Sequence, residues 1–393
     1  MDRPPTGRGC RAGFGYRELS GLVNVARNMK DLAARRLRAQ RLIGEPFKSP
    51  VEAVRRLTAV QSQDYPAAKW ALGLRSRRAT DAGIDRLFDE GDILRTHVMR
   101  PTWHFVLPED VKWLLDLTAP RIRRGLVARH RQLELDDRTI ARASAAFAKA
   151  LAGGRHLTRP ELGQVLRAAR ISPEGQRLPH LLSIAELEGL IVSGPRRGRQ
   201  FTYALLEERV RKSRALERSE AVAELTRRYF HSHGPAQLQD LVWWSGLSMA
   251  EARSGIAGAG AVLDHHLIDG KDYWADARAG APPDAASVAH LLPNFDEYTV
   301  AYRDRSSLLN ADSAFEPELF AFGSILSNVV TIGGCVRGAW RRTSAGGGVK
   351  VEVRVMKPLE TLEVAAVEDV GRRMGRFLER PLAMVWRERS DAR

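Results

Sequence analysis

One arrangement recurs along this chain and limits what it can fold into: short amphipathic helices followed by a β-rich hairpin. The plainest copy begins at "LTRPELGQVLRAARI" (157–171), where Thr158 stands as N-cap and Glu161 follows at capping-box spacing. After a loop at Ser172-Pro173, "LPHLLSIAELEGL" reads as a second amphipathic helix, stopped by Gly189. "LIVSGPRRGRQFTYALL" then supplies two β-rich arms about a Pro-Arg-Arg-Gly turn. Helix, turn, helix and basic hairpin together predict a helix-turn-helix with a wing.

The same order is legible on either side. Upstream, "DLAARRLRAQRL" (31–42) and "SPVEAVRRLTAV" (49–60) read as helices, the second opened by Ser49 as N-cap and Pro50 at the first helical position. Helices over 66–74 and 81–90 follow, then paired strands at 93–98 and 102–106 around Arg100-Pro101. Downstream, "SEAVAELTRRYFHSHG", "PAQLQDLVWWSGLS" and "MAEARSGIAGAG" lead to a hairpin around Asp269-Gly270.

Beyond "ARAGAPPDAAS", a linker by composition, the pattern changes. β-Branched arms flank Gly333-Gly334, "GGVKVEVRVMKPL" alternates apolar with charged residues, and a last helix covers 367–378. The predicted fold class is mainly α with a small β component (α+β). Three tandem winged helices are expected over 29–130, 131–212 and 213–278, then a β-rich, α+β or barrel-like domain over 279–393. Residues 1–28 are expected to form a disordered extension.

Composition narrows the function. The formal net charge is +15, which points to a polyanionic partner, because Lys and Arg displace counterions from phosphates. No apolar run approaches the roughly 18 residues of a membrane span, and the N-terminal stretch lacks a secretory-type apolar segment. A cytoplasmic monomer without membrane attachment is expected. Cys10 and Cys335 lie too far apart in unlike contexts for a disulfide framework or a cysteine-rich zinc site. "HSH" (231–233) and "DHH" (264–266) lack helical i, i+4 ligand spacing, so no metal is expected. No phosphate-binding or dinucleotide loop appears either, and no cofactor is expected.

Five stretches occur in an order that resembles the winged-helix DNA glycosylase superfamily of the AlkZ and YcaQ type. They are "RLRAQRL", "LTAVQSQDYPAAKWALGLRSR", "RPTWHFVLPED", "LLPNFDEYTVAYRDRS" and "VVTIGGCVRGAWRR", and the likeness spans roughly residues 30–386. The resemblance implies tandem winged helices and a C-terminal β-rich domain acting on double-stranded, alkylated DNA. It implies excision of bulky N7-alkylated purines, unhooking of interstrand crosslinks, and a place in DNA repair or in self-resistance to a DNA-alkylating natural product. The family shares a motif of glutamine, an aliphatic residue, then glutamine or aspartate. Here "QSQ" matches it, which gives Gln61 and Gln63 the catalytic role and sides with the AlkZ branch; Ser62 departs from the aliphatic preference.

On their own, Gln61 and Gln63 read as a polar helix end facing solvent. The glycosylase role needs no strong base, because N7 alkylation makes the purine cationic and a good leaving group. The bond then breaks through an oxocarbenium-like state, and a Gln amide can orient the attacking water toward C1′. Two residues apart, the side chains share a face only if the segment is extended. Asp64 reads as the N-cap before Pro66. Lys69 is the only lysine nearby, which argues against a Schiff-base lyase.

Three further groups are candidates. The wing arginines Arg196, Arg197 and Arg199 are placed to meet phosphate or a minor groove. Arg337, Arg341 and Arg342 follow the Gly333-Gly334 turn, and the resemblance implies a basic C-terminal hairpin that enters a DNA groove. His97, Arg100, Thr102, Trp103 and His104 could line a pocket facing the glutamines, with an aromatic stacking on a displaced base. Asp296, Glu297, Asp304 and Arg305 read foremost as a buried ion-pair network between domains. The alternative function is a non-enzymatic winged-helix DNA-binding protein, a regulator or lesion-binding module.

Overall fold

The computed structural model describes residues 16–281, 284–309 and 328–387. Residues 1–15 of the expected extension lie outside them, whereas residues 16–28 are helical and open α1 (Tyr16–Ala39). The first unit comprises α2 (Pro50–Leu57), β1 (Val60–Gln61), α3 (Tyr65–Arg75), α4 (Asp81–Glu90), β2 (Leu94–His97) and β3 (Trp103–Val106). Its sheet order is β1-β3-β2. A long helix, α5 (Pro108–Gln132), leads to the second unit: α6 (Asp137–Leu151), β4 (Leu157–Thr158), α7 (Arg159–Ala168), α8 (Arg177–Leu187), β5 (Ile191–Ser193) and β6 (Thr202–Leu205). Its order, β4-β6-β5, repeats that of the first. The short α9 (Leu206–Arg209) closes it.

The third unit has α10 (Arg218–His233), α11 (Leu238–Ser245), α12 (Met249–Ala259) and the hairpin β7 (Leu263–Ile268) and β8 (Lys271–Asp276). Its first strand shrinks to a single bridge, Ala236 to Trp274. Helix, strand, two helices and two strands, with the first strand on the last, is the winged-helix topology in all three units. The 130/131 boundary expected from sequence falls inside α5, and the 28/29 boundary inside α1.

The C-terminal region contains β9 (Ala289–Leu292), α13 (Glu297–Val300), β10 (Val329–Ile332), β11 (Cys335–Ala345), β12 (Gly348–Val355), α14 (Thr361–Leu378) and β13 (Leu382–Arg387). They build an open five-stranded sheet, β13-β12-β11-β10-β9. It is mixed because α14 carries the chain across to lay β13 parallel to β12. The α+β expectation describes it; the barrel-like one does not, since β9 and β13 are separate edges. No described helix is long and apolar enough to cross a membrane.

Core packing ties distant parts together. One apolar cluster joins the first winged helix to the C-terminal sheet, through Leu57, Trp70, Leu291, Val351 and Phe377. The Trp70 indole donates to the Leu291 carbonyl at 2.8 Å, and Phe377 lies so close to Gly73 that a Cβ there would meet its ring at 2.7 Å. Arg75 and Asp296, both fully buried, form a two-pronged ion pair at 2.7 and 2.8 Å. A second cluster joins the first unit, α5 and the third unit, whereas the second unit keeps its own core.

Candidate active site between the first and third winged helices

Local chain geometry takes the glutamines out of helix. α2 ends at Thr58, whose φ of +72° turns the backbone away, and α3 restarts only at Asp64, whose carboxylate caps Ala67 N. Gln61 therefore sits on β1, opposite His104 of β3. The peptide N–H of Ser62 donates to Trp103 O at 2.7 Å, and the Gln63 Oε1 accepts from Trp103 N at 3.4 Å. The intervening Ser62 is fully buried, and its hydroxyl has no partner among the described residues. The Asp64 cap also accepts from Asn294, which binds this turn to the C-terminal domain.

Gln61 is gripped from two sides. Arg100 Nη2 donates to Gln61 Oε1 at 2.8 Å, and Gln61 N donates to Glu297 Oε1 at 2.9 Å. Glu297 Oε2 in turn accepts from the Trp244 indole at 2.9 Å and stands 3.6 Å from His233 Nε2. Burial works to raise the Glu297 carboxyl, but His233, the Gln61 N–H and the Arg100 charge prevail and hold it down at about 2. The site thus contains a permanent carboxylate one bond from the Gln61 backbone.

His104 is neutral at physiological pH, because burial first and the Arg100 charge second push it down to about 3. Its Nδ1 lies 2.9 Å from the Thr102 carbonyl. A carbonyl only accepts, so the proton is on Nδ1 and the lone pair is on Nε2. That Nε2, Ser62 Oγ, Arg100 Nε and Thr102 Oγ1 are all buried without partners among the described residues. Such a concentration of unsatisfied polar atoms is uncommon in a structural sheet.

Other sequence candidates are placed differently. His97 reaches Glu186 of α8 at 2.5 Å, and Trp103 donates to the same carboxylate at 3.2 Å. The Trp103 ring packs against Arg95 at 4.3 Å and His97 at 4.5 Å, and its bond to Glu186 ties β3 to α8 of the second unit. In the wing, Arg196 pairs with Asp85 and Asp89 of α4 at 3.0 Å, and Arg197 pairs with Glu161 at 2.7 Å. Arg199 is exposed and makes no ion pair or hydrogen bond among the described residues.

The Gly333-Gly334 turn is buried: a Cβ on Gly334 would meet Tyr298, Ala33 and Leu37. The hairpin that projects is the next one, β11–β12, with Gly346 and Gly347 at its tip. Arg337 is bonded to Glu363 and Arg341 to Glu352. Arg342 lies half-buried near the glutamine turn, where burial lowers its guanidinium and the Asp81 and Asp64 charges oppose that.

Comparison with known proteins decides the family. A family model described as DNA glycosylase AlkZ-like matches residues 54–377. The chain belongs to the AlkZ-like DNA glycosylase family. A Streptomyces sahachiroi protein named interstrand DNA cross-link repair glycosylase is 25% identical over 356 residues, covering 84% of this chain and 92% of that protein. The solved structure of the S. sahachiroi DNA glycosylase AlkZ superposes with a TM-score of 0.73 at 23% identity, covering 91% of this chain and 99% of that one. The glycosylase acts on DNA, as the net charge of +15 suggested.

Sequence reasoning underrated Glu297 and overlooked Trp243 and Trp244. "FDEYTV" was visible as an acidic-aromatic run, and Asp296 does form the interdomain pair expected of it. Nothing in the sequence separated Asp296, paired with Arg75, from Glu297, turned toward Gln61. The adjacent tryptophans of "DLVWWSGLS" were read only as helix, although two neighbouring indoles must face different surroundings.

Proposed function

We infer that this glycosylase excises bulky, cationic N7-alkylated purines from double-stranded DNA, with water as nucleophile at C1′ and Gln61 and Gln63 as the groups that orient it. The observation that carries the reading is the double grip of Arg100 and Glu297 on Gln61 in an extended segment. A cationic purine leaves without a strong base, so the site needs placement and a favourable field. Polar amides supply the first, and the nearby ionised Glu297 contributes negative potential where the sugar cation develops.

Hydrolysis by a monofunctional enzyme fits the fate of Lys69. Its ammonium is buried and held by Asp81 at 2.7 Å and Asp85 at 2.9 Å, which removes it as a Schiff-base nucleophile. The exposed Arg199 and the β11–β12 hairpin bearing Arg342 provide duplex contacts. Unhooking of interstrand crosslinks in DNA repair is the wider role that the S. sahachiroi relative's name supports; self-resistance to a DNA-alkylating natural product is a setting in which the same chemistry would serve.

Purified protein is incubated with duplexes carrying N7-methylguanine or a bulky N7 adduct, and released base and abasic sites are measured. Release is expected, and Gln61→Ala or Gln63→Ala lowers it by about 100-fold while undamaged DNA is still bound. Tight DNA binding with no release from either substrate overturns the reading.

A further inference from the structure

Trp243 is the one tryptophan, tyrosine or phenylalanine exposed among the described residues, at 44%. Its neighbour Trp244 is fully buried and anchors Glu297, which holds Gln61. Trp243 turns the other way; its indole N–H donates to Val300 O at 3.0 Å, and the Arg305 guanidinium stands 5.5 Å from its ring. The two indoles share one stretch of α11, so the exposed ring is held in fixed register with the glutamine strand.

Trp243 faces an open cleft of about 570 Å³ between the β2–β3 loop, α5 and α11. Arg100, Arg121 and Arg303 line it, and no Asp or Glu does. Arg100 is the same residue that donates to Gln61. The walls are fixed: Arg121 bonds the Gly246 carbonyl at the end of α11, and a Cβ on Gly246 would lie 3.0 Å from Met99 O of the loop. A larger groove of about 1060 Å³ between α5, α6 and α8 sets Asp116, Glu134, Asp136 and Asp137 against a comparable number of basic groups. It lacks the one-sided charge of the Trp243 cleft and contains none of the candidate site residues.

We propose that Trp243 is the stacking platform for the damaged base, with Arg100, Arg121 and Arg303 receiving the phosphates beside it. The assignment rests on the glycosylase reading and adds its specificity element. An indole face attracts a cation, so a charged N7-alkylpurine is held better than a neutral base, while every base has a π-face to stack. The cleft is open, which leaves room for a bulky substituent, and its size is within the range of small-molecule sites. Arg100 ends up against both the nucleotide and Gln61, which brings C1′ toward the glutamines.

The test uses the full chain and the variants Trp243→Ala and Trp243→Phe, with melting curves to show that each folds. Tryptophan emission is followed as a duplex with 2′-fluoro-stabilised N7-methylguanine, which resists excision, is added. The wild type is expected to show a quenched component that Trp243→Phe lacks. In single-turnover excision, Trp243→Ala loses about tenfold and Trp243→Phe recovers most of the loss, while binding to undamaged duplex is retained. Equal quenching in wild type and Trp243→Phe, or wild-type excision by Trp243→Ala, overturns the proposal. If the wild type releases no base, the substrate reading fails, and the quenching contrast still decides the stacking role.

Discussion

Arg100 Nη2 donates to Gln61 Oε1 at 2.8 Å, and this bond sets which way the Gln61 amide faces. A guanidinium carries only donors, so the amide oxygen must be toward Arg100 and the NH₂ group away from it. Arg100 is a positioning residue in this sense. Arg100→Met is expected to slow single-turnover base release by about 10- to 100-fold. Combined with Gln61→Ala the loss is less than the product of the two single losses, because the Arg100–Gln61 bond is counted in both and only the phosphate contact of Arg100 is left to add. Fully additive losses in the double variant contradict the coupling.

Asp296→Ala strands the Arg75 guanidinium at 0% exposure, with only Gln40 and the Ala71 carbonyl left as partners. Breaking one side of such a pair costs about 3–5 kcal/mol. Urea unfolding is expected to show a correspondingly lower midpoint. A change below about 1 kcal/mol would mean that the pair does not lock the first winged helix to the C-terminal domain.

Ser62→Ala has the opposite sign. The hydroxyl is buried without a partner, and an unsatisfied polar group costs about 1–3 kcal/mol. Removing it is expected to raise stability by about 1 kcal/mol, read from the same urea midpoint. The change also moves the motif toward the apolar middle residue that AlkZ-like motifs favour. A loss of stability refutes the structural account of Ser62.

Two buried histidines contribute to the loss of stability in acid. His104 and His290 are both lowered by burial, to about 3 and about 4. They stay neutral in the fold while the unfolded chain protonates near 6.5, so the unfolded state binds more protons below that pH. Stability therefore falls as pH drops from about 6.5 toward 4, by about 2 kcal/mol per histidine at pH 5. Glu297, depressed to about 2, adds its own loss only below the ordinary carboxylate range, between about 4.5 and 2. Melting temperatures measured from pH 7 to pH 4.5 check the first window, and His290→Phe should flatten the slope.

Salt dependence separates the wing arginines. Arg199→Ala removes an unpaired exposed charge and is expected to reduce the slope of log K against log salt by about 1. Arg196 is committed to Asp85 and Asp89, so Arg196→Ala should loosen the contact between the first two units and lower the melting temperature, with little effect on that slope. Equal salt slopes for Arg199→Ala and wild type remove the wing from the DNA interface.

The elements themselves were legible because their causes are local. Thr158 and Glu161 form the capping box their spacing announced, Ser49 and Pro50 open α2, and alternation in "GVKVEVRV" gives β12. The threefold recurrence of helices and hairpin carried the fold class, and Asp64 is the cap its place before Pro66 suggested, whereas the extended course of Gln61 and Gln63 was only a condition the sequence left open. Gln61 and Gln63 became catalytic candidates through the family resemblance alone; by themselves they read as a polar helix end facing solvent.

Tertiary structure decided what those residues touch. Gln61 and Glu297 are separated by 236 positions, and Arg75 and Asp296 by 221. No periodicity encodes contacts between segments that far apart. The same gap turned Trp103, a candidate for stacking in the sequence, into a clamp on Glu186, and left Trp243 exposed. Likewise the arginines of the wing were legible as charge, but whether each meets DNA or a neighbouring carboxylate depended on where α4 and α7 came to rest. The sequence determined the elements and the reactive groups, through forces acting over a few residues. Burial and partner choice, which act only once distant segments pack, decided which of those groups face a substrate.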